Sequence, residues 1–229
     1  LALAGELVPD AVNVKGGPIA EAVRPGIALA ENLGRVAGSL ATASLEAVEV
    51  EVLGEVAEND VKILELAALK GVFSALVTYP VSYVNAPVLA GERGVAVSLT
   101  TTTEPATWRN TVRVHLSLTD GSQITVGGTV TGPRSVQRLV EIDGFEIDVP
   151  VSEHVAFLCY IDRPGVVGAA GRLLGEAGIN IAGMQVSRDE AGGQALIALT
   201  VDSAIPAEVL AAVAEEIGAV SARSVDLEL

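Results

Sequence analysis

The chain has 229 residues, half of them hydrophobic, and its 29 acidic and 14 basic side chains leave a net charge of −15. A surface of that sign repels polyphosphate and anionic lipid, and 3% aromatic residues offer little for base stacking, so neither nucleic acid nor a membrane surface is an expected partner. The single cysteine, Cys159, rules out an intrachain disulfide, and the two histidines, His115 and His154, stand apart from any His/Cys cluster, so no metal site is expected.

The first residues, Leu1-Ala2-Leu3-Ala4-Gly5, read as a helix entered partway along, as in a fragment. There is no basic leader and no run of about 18 apolar residues, which sets a cytoplasmic expectation. Residues 1–34 are dense in Pro and Gly and fit a connector around a short strand at Val12–Val14. Residues 28–44 predict a helix with small residues Ala30, Gly34, Ala37, Gly38 and Ala41 on show for close packing. Val48, Val50 and Val52 alternate with Glu49 and Glu51 as in a half-buried strand. Asn59 and Asp60 offer an N-cap to a helix carrying Val61, Leu64, Ala68 and Val72, and Asn85 offers another to Ala86–Glu92.

Two hairpins follow. Val112, Val114, Leu116 and Leu118 alternate with polar residues up to Asp120-Gly121, and Ile124 and Val126 resume the pattern; Asp143-Gly144 repeats the signal between Val136–Ile142 and Phe145–Val149. His115, on the polar side of its strand, reads as solvated or hydrogen-bonded. Cys159, beside Tyr160 in an apolar run, reads as a small core residue. A boundary falls near Pro150–Glu153. Beyond it come a strand at His154–Asp162, a helix at Pro164–Gly178, strands at Ile179–Arg188 and Ala195–Val201, a helix at Pro206–Gly218 and a strand at Ala219–Leu227. That βαββαβ order is a ferredoxin-like sandwich, so the chain is expected to be α+β: a mixed α/β domain followed by this smaller one.

Chemistry concentrates at the first strand-to-helix junction, Tyr160-Ile161-Asp162-Arg163-Pro164-Gly165. The N–H groups and positive end of a helix attract a carboxylate, Gly165 has no Cβ to obstruct it, and Asp162 can pair with an ammonium group. These residues suit a small zwitterion. They equally suit a plain turn in which Asp162 caps the helix.

Asp162-Arg163-Pro164-Gly165, Leu173-Leu174 and Gly178-Ile179-Asn180-Ile181 together resemble the signature of ACT domains. Val8-Pro9-Asp10-Ala11-Val12-Asn13-Val14, Asn32-Leu33-Gly34-Arg35, Leu66-Ala67-Ala68-Leu69-Lys70-Gly71 and Val84-Asn85-Ala86-Pro87-Val88-Leu89-Ala90-Gly91-Glu92-Arg93-Gly94 resemble the C-terminal part of long-form D-3-phosphoglycerate dehydrogenases. The resemblance implies a substrate-domain remnant at 1–17, an intervening domain at 18–152 and an ACT domain at 153–229. It implies L-serine as a feedback effector held between two subunits, with Tyr160, Asp162 and Gly165 from one and Asn180 from the other, and a homo-oligomer built through the ACT and intervening domains.

The resemblance also implies that the full-length enzyme oxidises 3-phosphoglycerate with NAD. The Gly-x-Gly-x-x-Gly nucleotide fold and the catalytic His with its acidic partner are not in this stretch, so it is expected to carry no cofactor and no catalysis of its own. Where such enzymes have a marked anion site, this chain has the acidic run Ile142–Pro150, leaving Arg134 and Arg138 as the candidate anion-binding residues, expected to bind weakly. Two other readings use the same domains: the beta part of an L-serine dehydratase, against which stand the missing Ser-Ser-Ser-His-Thr stretch and the single cysteine, and a free-standing amino-acid sensor.

Overall fold

The computed structural model describes residues 19–105, 107–190 and 192–227, which contain five α-helices and ten strands. The expected strand at Val12–Val14 and the remnant at 1–17 lie outside the described residues. The chain separates into two compact units, the first ending at Asp143 and the second beginning at Gly144.

In the first unit, α1 (Arg24–Leu40) is followed by β1 (Leu45–Gly54), α2 (Lys62–Leu76), α3 (Ala86–Glu92) and strands β2 (Ala96–Thr102), β3 (Asn110–Leu118), β4 (Gln123–Thr131) and β5 (Val136–Ile142). These strands form one sheet in the order β2-β1-β3-β4-β5, in which only β1 and β2 run parallel. The predicted strands and the Asp120-Gly121 hairpin are present, with Gly121 at φ 84°. Asp143 and Gly144 both have positive φ, 48° and 81°, as the expected two-residue turn requires.

Several local expectations are corrected. Helix α1 starts at Arg24, because Pro25 and Gly26 occupy its first turn, where a missing N–H costs nothing, and it stops at Leu40. Asn85 precedes α3 but does not cap it; its side chain accepts from the Ser82 N–H at 2.7 Å and donates to the Pro80 carbonyl at 3.2 Å. Strand β2 had no counterpart in the sequence reading, since as an exposed edge strand it ends in the polar run Thr100-Thr101-Thr102. At the start of α2 the N-cap position is Val61, without a side-chain cap, rather than Asn59 or Asp60; Asp60 accepts the Lys62 N–H at 3.1 Å.

Helices α1 and α2 cover one face of the sheet, and α2 is buried along almost its whole length. Their approach is set by glycine. A Cβ at Gly34 would fall 2.1 Å from the Ala68 carbonyl oxygen, and one at Gly71 would fall 2.0 Å from that of Glu31. Gly128 on β4 plays the same part beneath α1, facing Leu29 and Leu33. Across the helix pair, the Glu31 carboxylate takes Lys70 at 2.8 Å and the Tyr83 hydroxyl at 3.1 Å.

The second unit holds β6 (Phe145–Pro150), β7 (His154–Ile161), α4 (Val166–Glu176), β8 (Ile181–Arg188), β9 (Gln194–Val201), α5 (Ala207–Ile217) and β10 (Ala219–Asp226). From β7 onward this is the expected βαββαβ order, folded as an antiparallel sheet β10-β7-β9-β8 with α4 and α5 on one face. The core between helices and sheet includes Leu158, Tyr160, Val166, Leu174, Ile197, Leu199, Val213 and Ile217. The opposite face meets β6, which lies against β8 and β9 and donates the Asp148 N–H to Gln185 Oε1 at 2.7 Å. This explains why the second unit begins before the Pro150–Glu153 boundary expected from the sequence. Among the described residues no helix is long and apolar enough to cross a membrane.

Replacing Gly34 by Val should destabilise the first unit by about 1–3 kcal/mol or more, because a Cβ there must push two helix backbones apart. Urea unfolding of the variant beside the parent measures this; an unchanged midpoint would contradict the packing described.

Candidate effector site

The junction between β7 and α4 is held by its own backbone. The Asp162 N–H donates to the Gly193 carbonyl at 2.8 Å, and the Arg163 guanidinium reaches the Ile217 carbonyl at 3.0 Å at the C-terminal end of α5, where a cation is favoured. Gly165 has φ 93°, a left-handed conformation that lets the chain turn into α4. A Cβ there would meet open space, so conformation rather than crowding calls for glycine. Helix α4 therefore begins at Val166, and Pro164 precedes it rather than opening it. Gly178, with φ 76°, ends the helix as expected.

Asp162 does not cap α4, which has no side-chain cap. Its carboxylate is 22% exposed and faces Arg188, whose Nη1 lies 3.4 Å away at the end of β8. The register explains the meeting. Tyr160 pairs with Ala195 on β9, and Ala195 pairs with Arg188 on β8, so the three share one row on the helix-covered face. Only a methyl group stands between Tyr160 and Arg188. Sequence reading missed Arg188; its signal was its place as the last residue of an alternating strand, just before the Gly192-Gly193 turn.

Tyr160 itself is a core residue of this unit. It lies on a central strand under the helices and is only 2% exposed. Burial pushes its phenol above the usual range, the Asp162 carboxylate adds to this, and Arg188 acts against it. The ring thus forms the floor beneath the charged pair.

Asn180 is not brought to this place. It precedes β8, where its amide donates to Asp202 Oδ2 at 2.7 Å. Ile181 pairs with Val201, and Val201 pairs with His154 at the far end of β7. Asp162 and Asn180 therefore sit at opposite ends of the sheet, separated by the length of eight-residue β7, or about 23 Å at ~3.3 Å per residue. β8 is an edge strand, and among the described residues no strand pairs with its outer side.

The other candidates are more ordinary. Arg134 is exposed in the turn after β4, and Arg138 is half-buried on β5 opposite Thr129. Glu141, on the same strand, is taken by Arg113 at 2.7 Å. His115 is hydrogen-bonded to Thr125 at 3.0 Å, as read from its polar face. Cys159 is half-buried in β7.

Comparison with known proteins places this architecture. The family model for the D-3-phosphoglycerate dehydrogenase intervening domain matches residues 22–143, and that for the ACT domain matches residues 154–218. D-3-phosphoglycerate dehydrogenase of Mycobacterium bovis is 43% identical over 227 residues, covering 99% of this chain and 43% of the relative. The enzymes of the same name from Methanocaldococcus jannaschii and Bacillus subtilis are 32% and 30% identical, over 93% and 90% of this chain and 40% and 39% of the relatives. The chain thus spans less than half the length of these curated relatives. Its two units are of the intervening-domain and ACT-domain classes. The chain belongs to the D-3-phosphoglycerate dehydrogenase family.

The placement of Tyr160 gives its ring a part in the fold. Tyr160→Phe should leave stability nearly unchanged, whereas Tyr160→Ala should cost about 3–5 kcal/mol, as for a buried aromatic ring. Thermal and urea unfolding of the two variants test this; equal stability of Tyr160→Ala and the parent would contradict its place in the core.

Proposed function

We propose that this chain is the regulatory region of a D-3-phosphoglycerate dehydrogenase of serine biosynthesis, binding L-serine as a feedback effector between two ACT units. The full-length enzyme would oxidise 3-phosphoglycerate with NAD, and this region would supply control and assembly rather than catalysis. Its setting is cytoplasmic.

The observation that carries the reading is the separation of Asp162 from Asn180. An antiparallel pairing of β8 with β8 of a second copy would turn that separation into proximity. The twofold axis would stand between the two β8 strands, level with their middles, continue the sheet across both copies and set their helices on the same side. Asn180 of one copy would then stand beside the Arg188 and Asp162 end of the other. Asp162 would take the serine ammonium, the start of α4 with Gly165 would face the carboxylate, and the Asn180 amide would serve the carboxylate or hydroxyl. Arg134 and Arg138, one exposed and one half-buried, would bind a phosphate-bearing effector only weakly in a chain of net charge −15.

Calorimetry with L-serine tests the reading. Asp162→Ala should weaken binding about tenfold to a hundredfold, the worth of one charge-assisted hydrogen bond. Asp162→Ala and Asn180→Ala chains, each impaired alone, should regain binding when mixed and allowed to exchange subunits. Half of the dimers would be mixed and hold one intact site, so about a quarter of the sites would recover. No recovery in an exchanged mixture, or a monomer by light scattering at high concentration with serine, contradicts the two-copy site.

A further inference from the structure

Asp162 is already paired in the chain. Its carboxylate faces Arg188 at 3.4 Å, while Arg188 remains 63% exposed and has no other ion pair among the described residues. The row Tyr160–Ala195–Arg188 holds that guanidinium over the small Ala195 side chain, on the face and at the end of the sheet where α4 begins. An incoming ammonium group cannot use Asp162 fully without loosening this pair. The loosened guanidinium then needs an anion within reach. A ligand with a carboxylate two bonds from its ammonium brings one.

We propose that Arg188 is a specificity-determining residue of the effector site: it shields Asp162 when the site is empty and receives the carboxylate of a bound α-amino acid. This rests on the reading that the ACT unit binds an amino acid at Asp162. Arg188 admits zwitterions and rejects simple amines, which would displace it and leave its charge uncompensated. Lysine, a point charge without the planar fork, would keep the shielding but hold the carboxylate less well.

The experiment is calorimetry on the whole 229-residue chain with L-serine and with L-serine amide, which keeps the ammonium and hydroxyl but has no carboxylate. The parent should prefer L-serine by about tenfold or more. In R188Q the preference should collapse to about threefold or less, through weaker serine binding and unchanged or tighter amide binding, and R188K should fall between. Exposure of Arg188 makes the fold insensitive to these changes, and circular dichroism of both variants should match the parent. Serine binding with an undiminished preference in R188Q overturns the role of Arg188 alone. Absence of serine binding by the parent overturns the amino-acid reading and, with it, this assignment.

Discussion

An antiparallel sheet has two ends, and the candidate ligand side chains of this chain are divided between them. Asp162 follows β7 and Asn180 precedes β8, and the register through β9 keeps them the length of the sheet apart. No side-chain rotation closes a gap of about 23 Å. The edge position of β8 then matters more than any single contact, because a sheet can be extended only at an edge. In the proposed two-copy arrangement, a twofold axis beside β8 would bring opposite ends of the two β8 strands together, so one operation would both extend the sheet and reunite the polar groups. Val186, on the helix side of the edge strand β8, is 41% exposed.

The first unit depends on contact of another kind. Gly34 and Gly71 let the backbones of α1 and α2 touch, and Gly128 lets α1 settle on the sheet. Helices that close have little freedom to slide, since any shift drives backbone into backbone. The Glu31 carboxylate is then fixed between Lys70 and Tyr83, with the Lys70 ammonium also 4.8 Å from the Tyr83 ring centre. Burial, then the charge of Glu31, pushes the Tyr83 phenol far above its ordinary range, so it stays protonated and donating. The cluster joins α1, α2 and the segment before α3 without a net loss of paired charge.

Much of this was legible in the sequence because it follows from short-range patterns. Alternation marked β1, β3, β4 and β5, and the Asp-Gly turns marked where they reverse. The βαββαβ order of the second unit was readable to within a residue or two, since Gly178, Gly192-Gly193 and Gly218 punctuate it. What escaped depends on partners distant in sequence. Pro25 read as a breaker although it belongs to the first turn of a helix. Strand β2 lacked a clear pattern because it is an edge with both sides largely wet. Tyr160 and Asp162 look alike as neighbours of one motif, yet the strand alternation sends Tyr160 into the core and leaves Asp162 beyond the strand's end. Arg188 could be linked to Asp162 only once the register placed Ala195 between them.

The charge of the whole chain gives that last pair its meaning. With a net charge of −15, the surface draws cations of every kind toward it. A bare carboxylate at Asp162 would collect amines and metal ions with little discrimination, because a single negative charge recognises only the opposite sign. Pairing it with Arg188 makes the empty site locally neutral. A cation arriving alone gains one contact and breaks another, so its net advantage is small and falls further with salt. A zwitterion of matching size replaces one pair by two, and the two new contacts point in opposite directions. In the proposed site, selectivity for an amino acid would then arise from the balance of charge within it rather than from the shape of a closed pocket. This would suit the proposed site on an open sheet edge, whose shape would be incomplete until a second copy supplied Asn180.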